Sequence, residues 1–284
     1  IWKGLVGSEM CIRDRCMTKQ YTSSTTNAQW QVIENKLPEQ MVNRKRKWTL
    51  RQIFDAILYV LKNGCSWRDL PGDFPPSSSV YYYFKIWRDN GLLEFLSQEL
   101  SGDYRELLGK ERSPSVGIID AQSVKCTAVS AQTDTGYDGG KKIKGRKRHI
   151  MVDTLGSIIT LWVSAANWQD RAAAYWLFIK LYMNRIDFPR LQVFYADGGY
   201  TGKLVEFVKV RFKRLNWQLQ IVKKDKNLNT FKLLPKRWIV ERTFAWLDNC
   251  RRLSKDYERK TASSEAFIYL CLLYTSPSPR DPSI

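Results

Sequence analysis

From residue 113 onward, short apolar runs alternate with segments of helical period, in an order that few folds accept. The string "SVGIID" reads as a short buried strand, and "RHIMVDTLGSIITLWVSA" as two strands joined by a turn at Gly156. "DRAAAYWLFIKLYM" has the period of a helix, with Asp170 as its cap. "LQVFYAD" is again a strand, "KLVEFVKVRF" a helix and "WQLQIVKK" a strand. "LPKRWIVERTFAWLDNCRRL" is a further helix, with Pro235 near its first turn. The order β, β, β, α, β, α, β, α implies an α/β fold, a mixed sheet with helices on its faces. No segment repeats internally.

Residues 28–100 read differently, as helices alone. In "TLRQIFDAILYVLKNG", Leu50, Ile53, Phe54, Ile57, Leu58 and Leu61 fall at helical spacing; Thr49 with Gln52 forms a capping box and Gly64 a stop. "PGDFPPSSS" is a loop. The following "SVYYYFKIWRDNG" puts Val80, Tyr83, Phe84 and Trp87 on one face, leaving Tyr81, Tyr82, Lys85 and Arg88 outward. Two helices separated by a turn, with basic and aromatic side chains outward, suit a small DNA-reading module. A plain helical bundle with a solvated face fits the same pattern.

The chain carries a formal charge of +18 over 284 residues, which calls for a polyanionic partner. Membrane is the weakest candidate, because no apolar run has the length of a span and no basic amphipathic helix has one clean apolar face. The opening "GLVGSEMCIRDR" and the closing "CLLYTSPSPRD" resemble translated sequencing-adapter read-through. That resemblance predicts that residues 1–16 and 271–284 pack poorly and that the protein proper begins at Met17. A natural disordered tail is the other reading of the Ser/Pro-rich end. The first sixteen residues hold three basic and two acidic side chains and the last fourteen one of each, so residues 17–270 keep +17. Within them Cys65, Cys126 and Cys250 show neither zinc spacing nor a disulfide framework, which points to a reducing, cytoplasmic setting.

The densest basic run is "TGYDGGKKIKGRKRH", where Lys141, Lys142, Lys144, Arg146, Lys147 and Arg148 lie among glycines. Pinned between two strands of the sheet, it reads as a phosphate-tracking arm, with a solvated loop as the alternative. Three carboxylates stand out by position: Asp120 at the end of "SVGIID", Asp197 at the end of "FYAD", and Glu241 on the helix "RWIVERTF". Singly, each has an ordinary explanation as a turn residue, a cap or the partner of Arg237 one helical turn back. Together they are hard oxygen ligands of the kind Mg or Mn prefers, positioned where ligands gather beyond strand ends. Two such ions about 3.5–4 Å apart clamp the attacking and leaving oxygens of a phosphodiester. Gly198 and Gly199 would let the backbone approach a nucleic acid strand closely. His149, the chain's single histidine, reads as a structural or phosphate-contacting residue, and Trp238 as either core packing or a platform for an unpaired base.

The stretches "AILYVLKNGCSWRDLPGDFPP", "IIDAQSVK", "GYDGGKKIKGRKRHIMVDTLG", "ADGGYTG" and "RWIVERTFAWLDNCRRLSKDYE" occur in this order, and with them residues 28–268 resemble bacterial insertion-sequence transposases of the DDE class. The resemblance implies an RNase H-like catalytic sheet preceded by a small helix-turn-helix-like domain. It implies that Asp120, Asp197 and Glu241 bind two Mg (or Mn) ions, with Asp120 bridging them. Asp197 follows Asp120 by 77 positions and Glu241 follows Asp197 by 44, too few for a large inserted domain. Some relatives carry a Tyr-Arg-Glu-Lys signature around the glutamate. Arg237 and Glu241 keep its centre, while Leu234 and Asp248 stand where the Tyr and Lys would be, so Arg251, Arg252 or Lys255 would have to replace those phosphate contacts. The implied reaction cuts the transposon end with water and then joins the freed 3′-hydroxyl to target DNA. The implied partners are the inverted-repeat ends and the target duplex, held by a homodimer at the nucleoid. The expected layout is a DNA-binding helical domain over 17–105 and the catalytic domain over 113–270. Expected DNA contacts are Lys85, Arg88, the six basic residues of the run, Arg237 and Arg242. A purely hydrolytic RNase H-like nuclease and an inactive DNA-binding remnant remain the alternatives.

Overall fold

The computed structural model describes residues 21–42, 47–222 and 237–275. The chain divides after Phe84 into two compact units. The first holds helices α1 (Asn27–Glu34), α2 (Glu39–Val42), α3 (Leu50–Asn63) and the start of α4 (Ser77–Asp89). α1 and α3 each begin at a threonine, Thr26 and Thr49, whose capping box with Gln29 or Gln52 satisfies first-turn N–H groups. α3 ends on Gly64 at φ 72°, a left-handed cap that a β-carbon would disfavour. Its buried face is the one the periodicity marks, with Ile53, Phe54, Ile57, Leu58 and Leu61.

The second unit opens with the last turn of α4 and with α5 (Leu92–Leu107), so the division falls well before the expected boundary at 105. Then come β1 (Val116–Lys125), β2 (Gly136–Asp138), β3 (Ile143–Val152), β4 (Ile158–Ala165), α6 (Asp170–Met183), β5 (Val193–Ala196), α7 (Lys203–Arg211), β6 (Gln218–Ile221), α8 (Arg237–Asp248) and α9 (Thr261–Thr275). The expected order of strands and helices is present, with β2 and α9 added. Gln169, not Asp170, is the N-cap of α6, and it makes no side-chain cap bond.

The strands form one mixed sheet. β3 lies antiparallel between β4 and β1, β2 pairs with the first residues of β3, and β5 and β6 continue from β1 in parallel. One face bears Ile119, Met151, Phe194 and Ala196, sealed by Ala174, Leu177, Phe178, Leu181, Leu204 and Val208 from α6 and α7. On the other side α8 packs on β1 and β3, and α9 on β4 and α5. Cys271 and Leu272 are buried at the end of α9, and the Cys271 thiol lies 3.0 Å from that of Cys250. The expectation of poor packing from residue 271 therefore fails for these two. Residues 1–16 and 276–284 lie outside the described residues. None of the helices among the described residues is long and apolar enough to cross a membrane.

Candidate functional site

Strand register brings two of the three marked carboxylates together. The parallel pairing of β1 with β5 reaches Ile118 opposite Tyr195. Two residues further along the chain in each case stand Asp120, within β1, and Asp197, just past the end of β5 in extended backbone, and a step of two returns the side chain to the same face. Both line one small pocket with Ile118, Tyr195 and Val222. Asp120 does not end its strand, as the sequence suggested, because β1 runs on to Lys125 against β3. β5 does stop at Ala196. Asp197 then caps a short 3-10 turn, and its Oδ1 accepts the Gly199 N–H at 2.9 Å. Asp120 Oδ1 accepts the Ala121 N–H at 2.8 Å. Each carboxyl group is thus oriented by backbone. A β-carbon on Gly198 would meet nothing within 4 Å, so the chain is open to a ligand beside Asp197.

Glu241 lies on the outward side of α8, in line with Trp238 and Ala245, while Ile239, Val240, Thr243, Phe244 and Leu247 face the protein. The helix is seated on the β3–β4 turn: Thr243 Oγ1 donates to the Gly156 carbonyl at 3.0 Å and Arg242 Nη2 to that of Leu155 at 2.9 Å. Gly156 has φ +90°, and a β-carbon there would come within 2.8 Å of Thr243 Oγ1. Among the described residues, no three His, Cys, Asp or Glu side chains are grouped closely enough to hold an ion by themselves. Asp120 and Asp197 thus share one pocket, and Glu241 stands on the exposed side of α8. The pair still suits Mg or Mn, since Mg is commonly held by one or two carboxylates together with substrate phosphates.

The basic run departs most from expectation. Only Lys141, Lys142 and Lys144, on the β2–β3 hairpin, are exposed. Arg146, Lys147 and Arg148 belong to β3 and are buried, so they form no solvent-facing arm. Strand alternation sends them to opposite faces. Arg146 pairs with the fully buried Asp256 at 3.1 Å and donates to the carbonyls of Thr133, Glu258 and Arg259. Arg148 Nη2 donates to the Leu253 carbonyl at 2.8 Å, and burial pulls its pKa down. On the other face Lys147 Nζ sits between Asp170 at 2.9 Å and Asp138 at 3.4 Å. Burial raises the Asp138 pKa, but bonds from Ser123 and the Lys141 N–H together with the Lys147 charge override it and leave Asp138 at about 2. His149 is buried as well, stacked on Trp162 and bonded through Nε2 to Ser164 Oγ at 2.9 Å. Burial, with the charges of Lys147 and Lys141, lowers its pKa to about 3, so it is a neutral structural residue out of reach of phosphates.

Of the other expected DNA contacts, Lys85 is exposed. The Arg88 side chain is only 5% exposed and is bound to Ser263 Oγ at 2.7 Å and to Asp89, so it does not point outward as the helix pattern implied. Arg242 lies 4.7 Å from the rings of both Trp238 and Trp246. The side chain of Arg237, and the whole of Leu234, lie outside the described residues. Arg252 is buried against Glu258 at 2.6 Å, whereas Arg251 and Lys255 are exposed. Sequence reasoning missed Asp256, which anchors its segment to the sheet. The signal was present in the second dense charge run, "RRLSKDYERK", at 251–260.

Residues 111–276, more than half of the chain, match the family model described as a transposase DDE domain. Residues 25–96 match the one described as a putative transposase of the IS4/5 family. A search of curated proteins found no match.

Proposed function

This chain belongs to the DDE transposases, metal-dependent enzymes that cut DNA, and we propose that Asp120, Asp197 and Glu241 are the carboxylates with which it does so. The mixed sheet flanked by helices is the RNase H-like fold of that family. The observation that carries the assignment is the register of β1 and β5, which sets Asp120 and Asp197 side by side on one face at the mouth of a shared pocket. Nothing in core packing asks for two carboxylates there, and adjacent like charges are tolerated where a cation is to be held between them.

In this reading Asp120, Asp197 and Glu241 would hold the Mg or Mn ions. Bound there, the ions would polarise the phosphodiester and stabilise the charge that builds on its oxygens. The chain's own residues do the rest. The backbone N–H groups of Ala121 and Gly199 keep the carboxyl groups aimed. Gly198 leaves room for the strand. Lys141, Lys142 and Lys144 on the hairpin, with Lys85, Arg237 and Arg242, contact phosphates. Trp238, 41% exposed and one helical turn from Glu241, is available to an unpaired base. The substrates are the terminal inverted repeats of the element and a target duplex, the steps are end cleavage and strand transfer, and the working form is a homodimer on DNA at the bacterial nucleoid. The helical first unit reads the ends.

The test is Asp197→Asn. Asparagine can cap the 3-10 turn as aspartate does, so the fold should persist. In EDTA the variant should bind end DNA within about twofold of the parent, while Mg-dependent nicking and strand transfer fall by about 100-fold or more. Nicking close to the parental rate would remove Asp197 from the reaction.

A further inference from the structure

The three buried cations of β3 raise a question that their burial alone does not answer. A strand gains nothing by burying two guanidinium groups on one face unless what they hold is needed there, because each must be stripped of water. Arg146 and Arg148 lie on the face of β3 that also carries Ile150, and Ile150 stands opposite Asp120. They therefore share the face of the sheet that bears the aspartate pair. What they hold on that face is the segment after α8. Arg148 takes the Leu253 carbonyl, and Arg146 takes the Asp256 carboxylate and the carbonyls of Glu258 and Arg259. Asp256 also accepts from Ser264 Oγ and from the Glu258 N–H, and its backbone pairs with the end of β1 through Lys125 and Thr127.

This pinning sorts the charges of "RRLSKDYERK". Both carboxylates, Asp256 and Glu258, are buried, as is Arg252, which is paired with Glu258. Arg251, Lys255, Arg259 and Lys260 are all exposed. Among the described residues no carboxylate makes an ion pair with any of the four. A segment with two acidic and five basic residues thus turns only cations outward. Its Asp256 lies beside Lys125, five residues along β1 from Asp120, and its Leu253 is held by Arg148, which stands opposite Gln122, two residues from Asp120. At about 3.3 Å per residue the segment spans about 7–17 Å from Asp120, or about two to five phosphate steps of a B-form strand.

We propose that Arg251, Lys255, Arg259 and Lys260 form a second phosphate-tracking surface of the catalytic unit, and that Arg146 and Arg148 are positioning residues that peg this surface to the sheet. It engages the backbone of the DNA whose reacting phosphate lies at the aspartate pair, about two to five steps away. The inference rests on the transposase reading and adds to it the path of the duplex. It also explains why the two arginines of β3 are buried: their charges work inward, through the segment they hold.

The experiment is salt-dependent binding of an end-containing duplex to the full chain and to a variant carrying Arg251→Gln, Lys255→Gln, Arg259→Gln and Lys260→Gln. All four sites are exposed, and circular dichroism and the thermal midpoint check that the fold is kept. Each lost phosphate contact removes about 0.9 from the slope of log affinity against log salt, so the slope should flatten by about 3.6. Raising salt from 50 to 200 mM should then cost the parent about 100-fold more affinity than it costs the variant. Methylphosphonate linkages two to five steps from the cut should weaken the parent and leave the variant unchanged. A folded variant with the parental slope overturns the proposal while leaving the transposase reading intact. A parent that shows no salt-dependent DNA binding overturns both.

Discussion

Replacing Arg146 by methionine removes the charge but keeps most of the side-chain length, and the structure sets the cost. Arg146 and Asp256 are both 0% exposed at their side chains, and their N–O separation is 3.1 Å. Removing one member of such a pair strands the other charge away from water, which typically costs about 3–5 kcal/mol. The carbonyls of Thr133, Glu258 and Arg259 lose a donor as well, at about 1 kcal/mol or more each where water does not replace it. Local opening of the 251–260 segment relieves part of that sum, so the expected loss is about 4 kcal/mol. Guanidinium denaturation followed by tryptophan fluorescence would read it as a lower midpoint with the slope kept. The double variant Arg146→Met, Asp256→Leu should recover at least about 1 kcal/mol of the single variant's loss, because the Asp256 carboxylate is no longer stranded, while the loss of that counter-charge near buried Arg148 limits the recovery. A single-variant loss below about 1 kcal/mol, or a double variant as unstable as the sum of the singles, would refute the claim that this pair pins the segment.

Three further outcomes follow from other parts of the unit. His149 titrates near 6.5 when unfolded and at about 3 when folded, so the unfolded chain binds more protons between those values. Its contribution is complete above about pH 6.5 and is lost as pH falls toward 3, by up to about 1.4 kcal/mol per unit; His149→Gln should show a flatter stability profile than the parent between pH 6.5 and 5, and equal slopes would contradict the buried neutral imidazole. Gly156→Ala forces a β-carbon into φ +90° and to within 2.9 Å of Trp246, so a loss of about 1–3 kcal/mol is expected by calorimetry. Because the same turn seats α8, nicking by folded Gly156→Ala should fall more than DNA affinity does, and an equal fall in both would disconnect the turn from Glu241.

Much of the architecture is legible along the chain because it is written in local chemistry. The capping box at Thr49, the stop at Gly64 and the apolar stripe between them fix α3 without reference to anything distant. The turn at Gly156 and the alternation of strands and helices are equally local. Asp197 could be marked because β5 ends beside it, whereas the extent of β1 could not be read, since what carries the strand past Asp120 is pairing with β3. The basic run was misread for a physical reason. Charge density along a sequence says nothing about which side of a strand faces a buried carboxylate, and Asp256 lies 110 positions beyond Arg146. Arg88 was misplaced in the same way, since Ser263 lies 175 positions beyond it.

The pairing of β1 with β5 also bears on when this protein becomes dangerous to DNA. β1, β3 and β4 form an antiparallel ladder between near neighbours in sequence, of the kind that closes early. Ile118 meets Tyr195 only after a loop of 77 positions has closed, and Glu241 follows later still. A chain emerging from the ribosome therefore shows Asp120 on an already formed ladder long before a second aspartate stands beside it. On the proposed assignment, a chain cut short before β5 would hold only one of the three carboxylates. On that same assignment, long-range closure would assemble the site only once nearly all of the catalytic unit exists.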